Sequence, residues 1–281
     1  MKTLKIASAL ILTLALLFVA RKLAMVQPRV TQITQNNLSI VHLNPGKTLE
    51  NQLLKIKVRV TGIGKTGEKV LLSFVYGQPA GEWGTAEMKN DTSLDFFVAE
   101  INGQPRGGKL YYYVEIQDSL NNTVASLGSE QNPLRLRFEG AISAGLLIPH
   151  IFCMFAGAFF SFLALFGAIG LLKSQGDFNS VARKVGWAAL FIFIGGFPLG
   201  ILVTRAALGG SGWGGFPIGN DITDSKTLLI FIYWLVLVVL GKGSIFGNRP
   251  EGNLVKPVAY GVLTLIGFLS VLGLYLIPHS I

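Results

Sequence analysis

Hydrophobic and polar positions follow two different rhythms along the 281 residues. In the C-terminal half the apolar residues run on without interruption. No charged residue falls between Glu139 and Lys173, and further apolar runs cover Val185 to Thr204, Leu228 to Leu240 and Pro257 to Ile277. Roughly 20 consecutive apolar residues carry a helix across the hydrocarbon layer, and the first, second and fourth runs reach that length. The third is short and can span if its polar ends sit at the interfaces, with modest bilayer thinning or snorkelling of Lys226 and Lys242. The pattern predicts a four-helix transmembrane domain over 142–281, with helices at about 145–172, 185–204, 227–241 and 257–277.

From about Val30 to Glu139 the period changes to two. In Leu54-Lys55-Ile56-Lys57-Val58-Arg59-Val60 the apolar residues Ile56, Val58 and Val60 share one face and the basic residues the other, the mark of a half-buried strand. Similar segments recur at Leu38–Leu43, Val70–Tyr76, Leu94–Ile101, Lys109–Gln117, Asn122–Leu127 and Leu134–Phe138. Turn chemistry separates them at Gly62–Gly67, Lys89-Asn90-Asp91, Asn102-Gly103-Gln104-Pro105 and Asp118–Asn122. About seven short strands over 30–139 predict a β-sandwich. His42 is expected at the surface or at a strand end.

The N-terminus carries Lys2 and Lys5, then the apolar run Ile6–Ala20, then Arg21 and Lys22. That is the outline of a secretory signal, so residues 1–24 read as a signal peptide or a retained signal-anchor helix. Either sends the sandwich out of the cytoplasm. Basic residues agree: Lys173, Arg183, Lys184, Lys242, Arg249 and Lys256 fall on the predicted inner side, against Arg135, Arg137, Arg205 and Lys226 on the outer. The expected location is the bacterial inner membrane with an extracytoplasmic sandwich, in contact with membrane lipids.

Composition supports this and narrows the chemistry. Only 14% of residues are charged, against roughly 25% in an average soluble domain. The formal net charge is +9, but the basic residues are scattered beside apolar runs, which argues against nucleic acid as a partner. Cys153 is the single cysteine, so neither an intramolecular disulfide nor a cysteine-based metal motif can form.

Candidate chemistry gathers on the predicted outer side. His150 follows Pro149, His279 follows Pro278, and the loop between Arg205 and Lys226 holds Trp213, Pro217, Asp221 and Asp224. Thr223 or Asp224 is placed to cap the third helix. Three readings of this face stand side by side. In the first it is structural, with Asp221 and Asp224 paired to Arg205 or Lys226 and Trp213 in an interfacial aromatic belt. In the second, His150 and His279 ligate a b-type haem, or join Asp221 and Asp224 at a metal. In the third, His150 with an aspartate relays protons or handles a lipid or quinone headgroup.

Two resemblances bear on this. Gly107–Asp118, with its Tyr111-Tyr112-Tyr113 run, resembles the late strand and turn of fibronectin type III and other immunoglobulin-like domains. Pro149-His150, then Trp213 with Gly215, Pro217, Gly219, Asp221, Thr223, Asp224 and Lys226, then Ile277-Pro278-His279-Ser280, resemble uncharacterised bacterial integral membrane proteins. Those carry an outer sandwich before a helical membrane core. Asn220 departs from their pattern, which has a histidine there, and this weakens any multi-histidine site. The resemblance locates a site without assigning an activity.

The chain lacks a P-loop, a dinucleotide fingerprint, a nucleophile with its base and a row of intramembrane charges. The reading therefore leans against an enzyme. It favours a non-catalytic subunit of an envelope membrane complex, of the electron-transfer or respiratory kind, with other protein subunits as partners. A haem-binding redox protein using His150 and His279 is the alternative, and a lipid- or quinone-site protein the second alternative.

Overall fold

The computed structural model describes residues 2–24, 29–62, 68–91, 96–247 and 249–277. It is an α+β chain of two compact units, one of Val26–Ala141 with Ala206–Gly210, the other of Met1–Met25, Ile142–Arg205 and Ser211–Ile281.

The first unit is sandwich-like. Its strands are β1 (Arg29–Gln35), β2 (Leu38–Asn44), β3 (Lys47–Leu49), β4 (Leu54–Thr61), β5 (Lys69–Tyr76), β6 (Gly84–Glu87), β7 (Lys89–Asp91), β8 (Phe96–Ile101), β9 (Lys109–Gln117), β10 (Thr123–Leu127) and β11 (Leu134–Glu139). One sheet runs β1-β2-β4-β8-β7 and the other β3-β11-β9-β5-β6, with β10 also on β9. The chain changes sheets between β2 and β3, where Gly46 N–H donates to Asn44 Oδ1 at 2.8 Å. β3 then pairs in parallel with β11. The expected strands are present, and β1, β3, β6 and β7 are additional. Lys89–Asp91, expected as a turn, is strand β7 because buried Met88 beside it bonds back to the Val70 carbonyl and carries the chain from one sheet to the other.

Alternation puts Leu54, Ile56 and Val58 of β4 in the core with Ile40, Leu72, Tyr112, Val114 and Phe138. His42 lies there too, only 2% exposed, which corrects its expected surface position. It shares the inward face of β2 with Leu38 and Ile40, and its burial is made tolerable by two hydrogen bonds. Nδ1 meets the Lys57 carbonyl at 2.7 Å, and Nε2 meets the Tyr112 hydroxyl at 2.8 Å. A carbonyl only accepts, so Nδ1 carries the proton and Nε2 accepts from Tyr112.

Burial holds the His42 imidazole below its ordinary 6.5, with the Lys57 carbonyl opposing the shift. Unfolded chains then bind a proton at His42 more readily than folded ones, so this contribution is complete above about 6.5 and falls as the pH drops toward the lowered folded value. Sandwich stability measured by hydrogen exchange is expected to decline across that window. A His42→Gln chain should start weaker and lack that part of the slope.

The segment Ala206–Gly210 completes this unit. Gly140 N–H donates to the Ala207 carbonyl at 2.8 Å and Arg106 Nη1 to the Ala206 carbonyl at 3.1 Å. A Cβ on Gly140 would stand 2.3 Å from the Ala206 oxygen, so only glycine admits the strap.

The second unit is helical: α1 (Lys2–Ala24), α2 (Ala144–Leu172), α3 (Phe178–Ile194), a π turn (Gly195–Leu199), α4 (Gly200–Leu208), α5 (Ile222–Leu240), α6 (Lys242–Phe246) and α7 (Pro257–Leu276). Among the described residues, five stretches are long and apolar enough to cross a membrane: Thr3–Leu23, Ala144–Leu172, Phe178–Leu208, Ile222–Leu240 and Pro257–Leu276. The first of these falls in the N-terminal run expected as a signal peptide or signal anchor, and the other four fall on the apolar runs expected after the sandwich. Ala9 and Leu16 of α1 pack with Ala158 and Phe162 of α2 and Phe268 of α7. Outward-facing Phe152, Trp187, Leu229, Val236 and Leu269 are exposed. So much apolar surface suits insertion in lipid rather than contact with water.

Candidate functional site

The third span is not short, because α5 begins at Ile222, six residues before the apolar run. Its start is fixed by Asp221, not by Thr223 or Asp224 as expected. The Asp221 carboxylate accepts from Thr223 N–H at 2.7 Å and from Asp224 N–H at 3.2 Å. These satisfy amide groups that have no intrahelical acceptor, and negative charge there suits the helix dipole.

The residues before α5 form a tight cap bound to it through the main chain. Gly214 N–H donates to Asp224 Oδ2 at 2.8 Å and Phe216 N–H to Ser225 Oγ at 3.0 Å. Asp221 N–H reaches back to the Gly214 carbonyl at 2.8 Å. The Phe216–Pro217 peptide is cis. Trp213 stacks on Phe197 of the π turn at 5.5 Å, and Phe197 in turn meets Phe231 of α5 at 5.2 Å. Trp213 is therefore a packing anchor for the loop. Lys226 Nζ donates to the Ile277 carbonyl at 2.8 Å, joining the start of α5 to the end of α7. Arg205 is exposed at the far end of the segment.

His150 lies on α2, half-buried, with Nδ1 3.0 Å from the Gly195 carbonyl. That oxygen can only accept, so Nδ1 carries the proton and Nε2 keeps its lone pair. Among the described residues Nε2 has no hydrogen-bond partner. The π turn makes this contact possible. Pro198 has no N–H to give the helix, and a π turn absorbs that gap. Gly195 also lets α2 approach closely, since a Cβ there would stand 2.9 Å from Met154 Sδ and 3.2 Å from Cys153 Cβ. The seam beside His150 is thus filled by side chains.

His279, with Pro278 and Ser280, lies outside the described residues, so the paired-histidine site has only its His150 half on view. Among the described residues no three His, Cys, Asp or Glu side chains gather to hold a metal ion. The structure brings His150 to the π turn, and Thr227 to the same turn, where a Cβ on Gly196 would stand 2.9 Å from Thr227 Cγ2. Asp221 and Asp224 work at the head of α5. Ser211 and Ser225, which tie the loop, carry no sequence signal that singles them out.

No protein-family model and no curated protein matches the chain. Among solved structures it is similar to a family 76 glycoside hydrolase from a bovine Bacteroides thetaiotaomicron strain, with 10% identity and a TM-score of 0.29 over 81% of this chain and 50% of that one. The chain spans half the length of that protein, and so shallow a likeness carries no argument.

Proposed function

We propose that this chain is a non-catalytic integral membrane subunit of a bacterial envelope complex, of the electron-transfer or respiratory kind. Its sandwich is extracytoplasmic and docks a partner protein, and α1 stays as a signal anchor in the inner membrane. The observation that carries the reading is how the polar residues of the loop are used. Asp221, Asp224, Ser225 and Lys226 all bond to main chain, which is the work of a scaffold. The contacts of Ala9 and Leu16 support α1 as a retained member of the bundle. The exchange of β2 and β3 between sheets, with β3 parallel to the last strand, supports an immunoglobulin-like reading of the sandwich. The resemblance to bacterial membrane proteins through Pro149-His150 and the Trp213–Lys226 loop belongs to the same proposal.

One observation favours the haem reading as the second. His150, with Nδ1–H held by a carbonyl and Nε2 open, has the tautomer that an axial ligand uses. A haem bound there would supply one-electron transfer, with His150 as the residue holding it. The filled α2–α3 seam leaves it little room on that side.

Gentle purification from the native membrane separates the two. A colourless preparation with one reproducible stoichiometric partner is the expected result. A b-type absorption spectrum that disappears in His150→Ala would overturn it and establish the second reading.

A further inference from the structure

We propose that the outer face of the β3-β11-β9-β5-β6 sheet, around Lys109, Arg135, Arg137, Tyr111, Tyr113 and Trp83, docks an acidic surface of a partner protein. This rests on the reading above that the sandwich docks a partner, and it names the face and the chemistry.

Leu110, Tyr112 and Val114 of β9 point into the core, so Lys109, Tyr111 and Tyr113 point out. Leu136 and Phe138 point inward on β11, which turns Arg135 and Arg137 outward. Pairing sets Arg135 opposite Tyr111 and Arg137 opposite Lys109, and Arg137 also faces Lys47 on its other side. Like charges directly opposite each other destabilise a sheet. Lys47 is neutralised by Glu139 at 3.0 Å. Lys109, Arg135 and Arg137 have no carboxylate partner among the described residues.

The other sheet treats its cations differently. There Lys55 pairs with Glu100 at 2.7 Å, and Arg59 lies over the Phe96 ring at 4.9 Å. Lys57 of that sheet also lacks a carboxylate partner among the described residues, but only on β9 and β11 do three such cations, Lys109, Arg135 and Arg137, stand together on paired strands. Beside them Trp83 packs on Tyr113 at 5.2 Å, with its indole N–H held by the Pro79 carbonyl at 3.0 Å. Glu115 stands at the far end of β9, bonded to Gln117 and Thr123.

Tyr, Trp and Arg are the side chains that dominate binding energy at protein interfaces, and the cations select an acidic counterpart. The aromatic pair is half-buried against the sheet, a fixed ledge rather than side chains that could penetrate lipid headgroups. That favours a protein surface over an anionic membrane.

The test uses the full chain in its native cells. A photoreactive phenylalanine analogue replaces Tyr113 in one chain and the exposed Lys57, on the opposite sheet, in another, and the crosslinked peptides are sequenced. The Tyr113 position is expected to capture an Asp/Glu-rich segment of a single protein. The yield should fall on the order of tenfold or more in Arg135→Glu/Arg137→Glu and return in Arg135→Lys/Arg137→Lys, with protease resistance confirming that each variant folds. Protein adducts from Lys57 but not from Tyr113 would overturn this face while leaving docking intact. Adducts to protein from neither position would overturn both. Capture of lipid alone at Tyr113, or a yield indifferent to charge reversal, would overturn the acidic-protein partner.

Discussion

Tyr112→Ala is expected to unfold the sandwich under conditions where the native chain is intact. The ring is fully buried between the sheets, and deleting a large buried aromatic side chain costs about 3–5 kcal/mol. It also leaves His42 Nε2 buried without its donor, a further cost of about 1–3 kcal/mol. Domains are stable by only about 5–15 kcal/mol in total, so the sum removes much or all of the margin. Tyr112→Phe separates the two parts, because it keeps the ring contacts and loses only the hydroxyl. Hydrogen exchange on β2 and β9 measures both. Full protection in the alanine chain would show that the core closes without this ring.

Trp234→Ala should have the largest effect in the helical unit. Trp234 is 0% exposed and its indole N–H donates to the Gly267 carbonyl at 3.2 Å. It packs in the cluster that holds Ala188 and Ile192 of α3, Leu237 of α5 and Val271 of α7. A loss of about 3 kcal/mol or more follows from the cavity, read as a drop in the melting temperature of the detergent-solubilised chain. Trp187→Ala is the control, because Trp187 is 50% exposed on the outer surface of α3. Equal losses from the two substitutions would mean that the interior of the bundle is not close-packed.

Much of this architecture was legible in the sequence, and the exceptions have physical causes. The long uncharged runs identify spans because a lipid-facing helix has few alternatives. Strands such as β4 and β9 declare themselves because one face is buried and the other is not. The four strands that the pattern missed are sheet edges or three to four residues long, too short or too exposed for alternation to stand out. The position of His42 was available in principle, since Leu38, Ile40 and His42 share a parity. What hid it is that a buried histidine needs Lys57 and Tyr112, and partners brought together by folding leave no local mark.

The site was legible in its residues and not in their roles. Asp221 and Asp224 three positions apart have the spacing of an N-terminal cap, but the apolar run that begins later drew the helix start toward Leu228. The Gly-Gly-Phe-Pro stretch announces an irregular turn. That the turn would be a π turn offering a carbonyl to His150 depends on the neighbouring helix.

The strap at Ala206–Gly210 bears on the order of events during synthesis. Residues 26–141 leave the ribosome before the strap exists, because two long apolar helices are made in between. Until then the Gly140 amide and the Arg106 guanidinium lack the carbonyls that they bind in the finished fold. A nascent sandwich thus lacks these two hydrogen bonds until Ala206–Gly210 has been made. A fragment cut at residue 141 reproduces that state, and the five-residue strap supplied as a peptide is expected to restore the two bonds and raise its stability.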